Sequence, residues 1–180
     1  TVGVNVDPFG HAATLPQLLS RAGLEAYVFL RPGPHEMALP SPLFRWRSPD
    51  GSDVLAMRIP HEYCSPREDL GYHLDKSLAQ LPDSFLDMLV FYGVGNHGGG
   101  PTRANIESIR TLDGADSLPH LQHSTPEAFF DRVRETVAAD LPVVEDDLQH
   151  HAVGCYSAHS GIKRWNRRAE SGLAVAEGWA

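Results

Sequence analysis

Residues 2–23 read VGVNVDPFGHAATLPQLLSRAG, which is a strand, a loop and a helix in succession. The segment VGVNV predicts a short strand, and the loop DPFGHAAT follows it. Residues 15–22 predict a helix, because Pro16 is tolerated in a first helical turn and Gly23 ends the pattern. Asp7 therefore stands directly beyond the end of a strand.

Strands and helices continue to alternate along the chain. Residues 26–31 (AYVFLR) are apolar enough to predict a strand that is buried on both faces. Residues 43–47 and 53–59 flank the turn signal SPDG at 48–51 and predict an inserted β-hairpin. Residues 88–94 (MLVFYGV) predict a further buried strand. The order indicates an α/β fold with a mostly parallel sheet, either open or closed as a barrel.

Further helices are predicted between and after these strands. The amphipathic residues 67–81 and the segment RANIESIR at 103–110 each predict one helix. Ser124 and Glu127 have the spacing of a capping box, and an apolar helical face follows them, made of Phe129, Phe130, Val133 and Val137. The basic cluster at 163–168 is interpreted as the solvated face of a last helix.

Composition excludes several classes of function. The chain has 180 residues, 42% hydrophobic, and a net charge of −8, so we expect a folded domain that does not bind nucleic acid or anionic membranes. No apolar run is long enough to span a bilayer. Cys64 and Cys155 make no disulfide framework, which is typical of a cytoplasmic protein.

Two loops follow strands and precede helices, and both carry polar side chains. The first presents Asp7, Phe9 and His11, and the second presents Asn96 and His97 among four glycines. Functional groups in α/β folds cluster beyond the carboxyl ends of strands, so we expect one shared site. The second loop lacks the phosphate-binding patterns G-x-x-x-x-G-K-[ST] and G-x-G-x-x-G. It is either a loop that lets the backbone approach a ligand or a tight turn without one.

From its position alone, Asp7 is a candidate metal ligand, nucleophile, general base or helix cap. Phe9 could stack on the apolar face of a sugar ring or pack in the core. The remaining histidines do not by themselves indicate a metal site. For example, the segment HEYCS at 61–65 lacks the second histidine of the H-E-x-x-H pattern.

Four stretches, in order, resemble glycoside hydrolase family 38, the zinc-dependent retaining α-mannosidases. Residues 6–11 (VDPFGH) resemble the D-P-F-G-H signature of that family, and Arg31 resembles an arginine that contacts its active-site carboxylate. Residues 93–102 (GVGNHGGGPT) are similar to the glycine-rich loop of the bacterial branch. Residues 163–170 (KRWNRRAE) resemble a run near the end of the barrel part of the catalytic domain.

The resemblance implies a (β/α)7 barrel whose substrate is an α-mannoside or a mannose-containing oligosaccharide. Asp7 would be both a zinc ligand and the nucleophile that forms a covalent mannosyl-enzyme. Arg31 would keep that carboxylate ionised and oriented, and Phe9 would line the sugar site. From the resemblance, a carboxylic acid is expected in the glycine-rich loop, at the place where this chain has Asn96. His97 is therefore the candidate substitute for the acid/base, the alternative being an acid from elsewhere in the protein, and Asn96 is assigned to substrate binding.

The same resemblance predicts that the site is incomplete within this chain. No H-x-D pair precedes Asp7 and no H-D dipeptide is present, although the zinc of the family takes ligands from both motifs. Residues 1–180 are accordingly expected to be part of an N-terminal catalytic domain, cut at both ends and inactive in isolation. An incomplete barrel would leave a sheet edge on which copies could associate. Two alternative hypotheses are another metal-dependent carbohydrate hydrolase, such as a deacetylase, and a non-catalytic carbohydrate-binding domain.

Overall fold

The computed structural model describes residues 1–81, 87–95, 99–115, 117–149, 151–152, 154–155 and 159–179. These residues form an α/β fold whose elements follow in chain order: β1 (Val2–Asn5), α1 (Leu15–Arg21), β2 (Ala26–Phe29), β3 (Leu43–Arg47), β4 (Asp53–Arg58), α2 (Gly71–Leu78), α3 (Arg103–Leu112), α4 (Pro126–Thr136), β5 (Val143–Val144) and α5 (Ser160–Trp179).

The five strands form one sheet in the order β1-β2-β4-β3-β5. β1 pairs with β2, β2 with β4 and β3 with β5 in parallel, whereas β3 and β4 are the antiparallel arms of a hairpin. The prediction of a mostly parallel sheet with a hairpin inserted near 43–59 is therefore confirmed. β1 and β5 are the outer strands of this sheet, and closure into a (β/α)7 barrel stays a prediction.

Each face of the sheet carries its own hydrophobic core. Successive residues of a strand point to opposite faces, so Ala26 and Val28 join one core while Tyr27 and Phe29 join the other. The first core includes apolar residues of α4, and the second includes Leu19 of α1. All four residues of β2 are buried, as its apolar sequence predicts.

Most predicted elements are present with shorter bounds. The prediction of a strand at 88–94 is wrong, because these residues belong to none of the strands in the described chain. A β-strand is defined by its pairing, and the described sheet ends at β1 and β5, so no neighbouring strand pairs with this segment. The cap of α4 is Thr125 rather than Ser124, since the Thr125 hydroxyl accepts from the Ala128 N–H at 3.2 Å.

The two-residue strand β5 is too short to be apparent in the sequence. It is held by Arg45 and Trp46 of β3, whose main chains pair with Val143 and Val144. The Trp46 indole N–H also donates to the Asp146 carbonyl at 3.1 Å. This attachment brings the residues after β5 back to the first loop, where they shape the candidate site.

Candidate functional site

Asp7 and Arg31 come together at one edge of the sheet. The parallel register of β1 and β2 places Asn5 beside Phe29, and each chain continues two residues beyond that pair. Arg31 Nε donates to Asp7 Oδ1 at 2.5 Å, and the two side chains keep 34% and 53% of their surface exposed. The contact predicted between these two residues is present, and the half-exposed carboxylate is open to a ligand.

The charge around Arg31 is strongly negative. The pKa of Arg31 is raised, first by the hydrogen bond to Asp7 and then by the charges of Asp7, Glu36 and Glu62, although partial burial opposes the shift. A guanidinium is permanently charged and planar, so it can hold a carboxylate in a fixed orientation. This arrangement suits a group that must stay ionised while it reacts.

Asp7 does not cap the helix that follows. The N-cap position of α1 is Thr14, whose side chain makes no capping hydrogen bond, and α1 has Pro16 in its first turn as the sequence predicts. The helix-cap interpretation is therefore wrong, whereas the roles of nucleophile, general base and metal ligand stay predictions.

Residues 147–149, which we call the strap, hold the first loop in place through hydrogen bonds. The Ala13 N–H donates to Asp147 Oδ1 at 2.6 Å. The main chains of His11 and Leu148 exchange two hydrogen bonds of 3.0 and 2.9 Å in an antiparallel bridge. These bonds fix the loop at its carboxyl end.

Gly10 explains how closely the strap approaches. Its φ of +147° is rarely adopted by residues with a side chain. A Cβ added to Gly10 would lie 2.7 Å from Gln149 Cα, which is closer than carbon atoms pack. The glycine of the DPFGH segment is therefore required both by its own backbone and by its neighbour.

Phe9 lies on the exposed side of the same loop with 37% of its surface accessible. Its ring centroid lies 5.2 Å from that of His151 in a tilted arrangement. His151 in turn contacts the Glu36 carboxylate through Nδ1, and the other Glu36 oxygen accepts from the Gly33 N–H at 2.8 Å. Burial disfavours ionisation of Glu36, but the hydrogen bonds from Gly33 and His151 outweigh it, so the pKa of Glu36 is lowered.

The sequence alone does not reveal the partnership of Glu36 and His151. The adjacent histidines at 150 and 151 suggest at most a joint metal site, and neighbouring side chains point in different directions, which disfavours one. Glu36 follows Arg31 by five positions within a proline-rich loop, and that proximity is the one signal in the sequence that points to it.

The second loop is only partly described, because Asn96 and His97 lie outside the described residues. Its flanks are fixed: Ser65 exchanges two hydrogen bonds with the main chain of Gly93, at 2.8 and 2.9 Å. Tyr63, two residues before Ser65, lies within electrostatic range of the first loop. Its pKa is raised first by the neighbouring Cys64 sulfur, then by burial and by the Asp7 carboxylate. The segment that carries Tyr63 is thus bonded to the flank of the second loop, and one shared site stays a prediction.

The zinc site expected from the sequence is not complete in the described part of the chain. No group of three or more His, Cys, Asp or Glu side chains there is arranged to hold a metal ion. Asp7 offers one carboxylate, and a tetrahedral zinc site needs three or four protein ligands. These residues alone therefore do not fit a zinc ion. Within the same described ranges, no helix has the length and apolar character needed to cross a membrane.

Comparison with known proteins identifies the family. Residues 1–147 match the model of the glycosyl hydrolases family 38 N-terminal domain. The chain is 29% identical over 174 residues to alpha-mannosidase G of Dictyostelium discoideum and 27% identical over 167 residues to alpha-mannosidase 2C1 of Homo sapiens. The matches cover 95% and 91% of this chain, and the chain spans 16% of the length of each relative.

A solved structure shows the same fold. The crystal structure of an alpha-mannosidase from Enterococcus faecalis V583 superposes with a TM-score of 0.63 at 20% identity. The match covers 82% of this chain and 18% of that structure. The motif-bearing residues 6–11 and 93–102 both lie within the part that matches the family model, and the family predicted from the sequence is confirmed. The chain belongs to glycoside hydrolase family 38.

Proposed function

We propose that the protein that carries this chain is a retaining α-mannosidase in which Asp7 is the nucleophile. The observation that carries the proposal is the contact of 2.5 Å between Arg31 Nε and Asp7 Oδ1, at the carboxyl ends of two adjacent parallel strands, in a chain of this family. A carboxylate that is paired with a guanidinium, oriented by it and half exposed meets the requirements of a glycosidase nucleophile.

In this mechanism Asp7 attacks the anomeric carbon of a terminal α-mannoside and the bond to the aglycone oxygen breaks. A proton donor protonates that leaving oxygen, and water then releases mannose from Asp7 with retention of configuration. His97 is the proposed donor, on the sequence of the glycine-rich loop alone, because an amide at Asn96 cannot donate a proton usefully near neutral pH. Phe9, whose ring packs against His151, the partner of Glu36, is proposed to line the sugar site.

A zinc ion remains part of the proposal, although the described residues supply only one ligand to it. Asp7 would contribute one oxygen, and the other ligands would come from residues of the protein outside this chain. Bound zinc would orient the sugar hydroxyls. We further propose a cytoplasmic location, supported by the absence of a disulfide framework in the sequence.

The first experiment replaces Asp7 with Asn in the full-length protein and measures release of an aryl group from an aryl α-mannoside. Asp7→Asn keeps the size of the side chain but removes the nucleophile, so turnover should be abolished. Asp131→Asn is the matched control, since it makes the same chemical change on the exposed surface of α4. Activity like that of the wild type in Asp7→Asn would refute the nucleophile assignment.

Two further measurements separate the alternatives. Release of acetate from an acetylated sugar, without release of mannose, would indicate a deacetylase. Tight binding of a mannoside without hydrolysis would indicate a carbohydrate-binding domain, which Asn96 in place of an acid favours. Exhaustive chelation should abolish mannose release and zinc should restore it; activity that is indifferent to chelation contradicts the zinc proposal.

A further inference from the structure

We propose that His11 is a positioning residue, which holds the main chain of Arg31 so that its guanidinium meets Asp7. The inference rests on the proposed function of Asp7 and adds a residue to that site. His11 is buried, with 3% of its surface exposed, and its Nε2 lies 2.9 Å from the Arg31 carbonyl oxygen. It therefore acts on the main chain of Arg31, whereas the ion pair acts on the side chain.

The partners of the imidazole fix its protonation. A main-chain carbonyl can only accept, so Nε2 carries the hydrogen that is donated to Arg31. Nδ1 then accepts from the Tyr27 hydroxyl at 2.9 Å. Burial lowers the pKa of His11, partly offset by the bond to the Arg31 carbonyl, and burial raises the pKa of Tyr27 to about 12. A neutral imidazole in one tautomer is the form that this geometry accommodates.

Aromatic rings surround the imidazole. Those of Tyr27, Phe29 and Trp46 lie T-shaped to it, with centroids 5.3, 5.2 and 6.0 Å away. The main chain of His11 is bridged to Leu148 of the strap, so the residue is fixed both in its backbone and in its ring. A side chain held in this way can act as a rigid anchor for the carbonyl that it contacts.

The first loop thus contacts Arg31 at two points. Asp7 receives the guanidinium at 2.5 Å, and His11 fixes the main-chain carbonyl of the same residue. An arginine side chain has many rotamers, so a single ion pair on a half-exposed surface holds it weakly. Anchoring the backbone of Arg31 restricts where its guanidinium can reach. The two contacts together define the orientation of the carboxylate that is proposed to attack the sugar.

The chain provides a matched control. His73 is equally buried, with 2% of its surface exposed, and its Nε2 lies 2.8 Å from the Phe91 carbonyl. His73→Leu therefore removes a buried histidine and its hydrogen bond to a carbonyl other than that of Arg31. His11→Leu removes the donor at Arg31, and His11→Gln restores an N–H that can reach the same carbonyl.

The first test is structural and needs no activity. In crystal structures of the full-length variants, the hydrogen bond from Arg31 Nε to Asp7 Oδ1 should be broken in His11→Leu and intact in both His73→Leu and His11→Gln. If His11→Leu leaves these two atoms at their original distance, the positioning role is refuted. Should His11→Leu fail to fold, the decision rests on His11→Phe, which keeps an aromatic ring but has no N–H for the Arg31 carbonyl. If the hydrogen bond from Arg31 Nε to Asp7 Oδ1 persists in His11→Phe, the positioning role is equally refuted.

The second test is a double-mutant cycle with Arg31→Ala, measured as kcat on an aryl α-mannoside. His11→Leu alone should lower kcat by roughly 10- to 100-fold with a smaller change in KM, which is the range of coupling between neighbouring residues. In the Arg31→Ala background the same substitution should change kcat by less than about threefold. Equal effects in both backgrounds would show a structural role only and refute the positioning role. A wild type that fails to release mannose would refute the proposed function and leave the crystallographic test to decide the role of His11.

Discussion

Substitution of Gly10 by Ala tests how the strap and the first loop fit together. The added Cβ would lie 2.7 Å from three atoms of Gln149, one of them the main-chain Cα. Side-chain atoms can turn away, but the Cα can move only if the strap moves. Gly10 also has a φ of +147°, at which a residue with a Cβ is strained.

The expected cost combines these two effects. A side chain in such a sparsely populated backbone region costs about 1–3 kcal/mol. Displacement of the strap also breaks the two hydrogen bonds between His11 and Leu148, each with a net contribution of about 1 kcal/mol. We therefore expect Gly10→Ala to lower the free energy of unfolding by about 3–5 kcal/mol.

Urea denaturation followed by tryptophan fluorescence measures this difference, with the slope m used to check that the same surface unfolds. Gly23→Ala is the control, because Gly23 has a φ of +75° but no atom within 4 Å of the position of its Cβ. It should cost only the backbone strain, about 1–2 kcal/mol. If Gly10→Ala is no more destabilising than Gly23→Ala, the contact with the strap does not constrain Gly10 and the reasoning is wrong.

Two further predictions concern buried polar groups. Burial lowers the pKa values of His11 and His73, so the unfolded chain binds more protons and the free energy of unfolding should fall as the pH is lowered through about 6.5. Urea denaturation at pH values from 7.5 to 5 measures this dependence. In the double variant His11→Gln/His73→Gln the free energy of unfolding should change less steeply with pH, by at most about 2.7 kcal/mol per pH unit. An unchanged pH dependence of the free energy of unfolding would contradict the assignment. Asn105 is fully buried, and its side-chain amide donates to the carbonyls of Pro66 and Glu68. Asn105→Asp should therefore lower the free energy of unfolding by about 3–5 kcal/mol in the same assay. A decrease of less than about 1 kcal/mol would refute this role.

The local parts of the fold could be predicted because their signals lie close together in the sequence. The turn SPDG at 48–51 joins two strands that pair with each other, and the apolar segment of β2 is buried on both faces as expected. The contact between Asp7 and Arg31 is implied only by the family resemblance, and the sheet explains it, since both residues follow the ends of neighbouring parallel strands.

Other features depend on contacts that no local pattern reports. Residues 88–94 have the composition of a strand, but a strand forms only where its main chain pairs with a neighbour, and no strand of the described sheet pairs with them. The strap contacts a loop at the opposite end of the sequence, and the contact of Glu36 with His151 spans a similar separation. These contacts depend on the pairing of β5 with β3, which brings the residues after β5 back to the first loop.

The bond from Ala13 to Asp147 joins residues 134 positions apart, and this has a consequence for how the protein is made. A ribosome adds about 5–20 residues per second, so the loop that bears Asp7 emerges roughly 7–27 s before the residue that fastens it. During that interval the hairpin and its neighbouring strands can already pair, because their contacts are shorter in range. The loop that bears Asp7 thus acquires its final shape late in synthesis, and any delay between residues 60 and 147 prolongs the time before it is fastened.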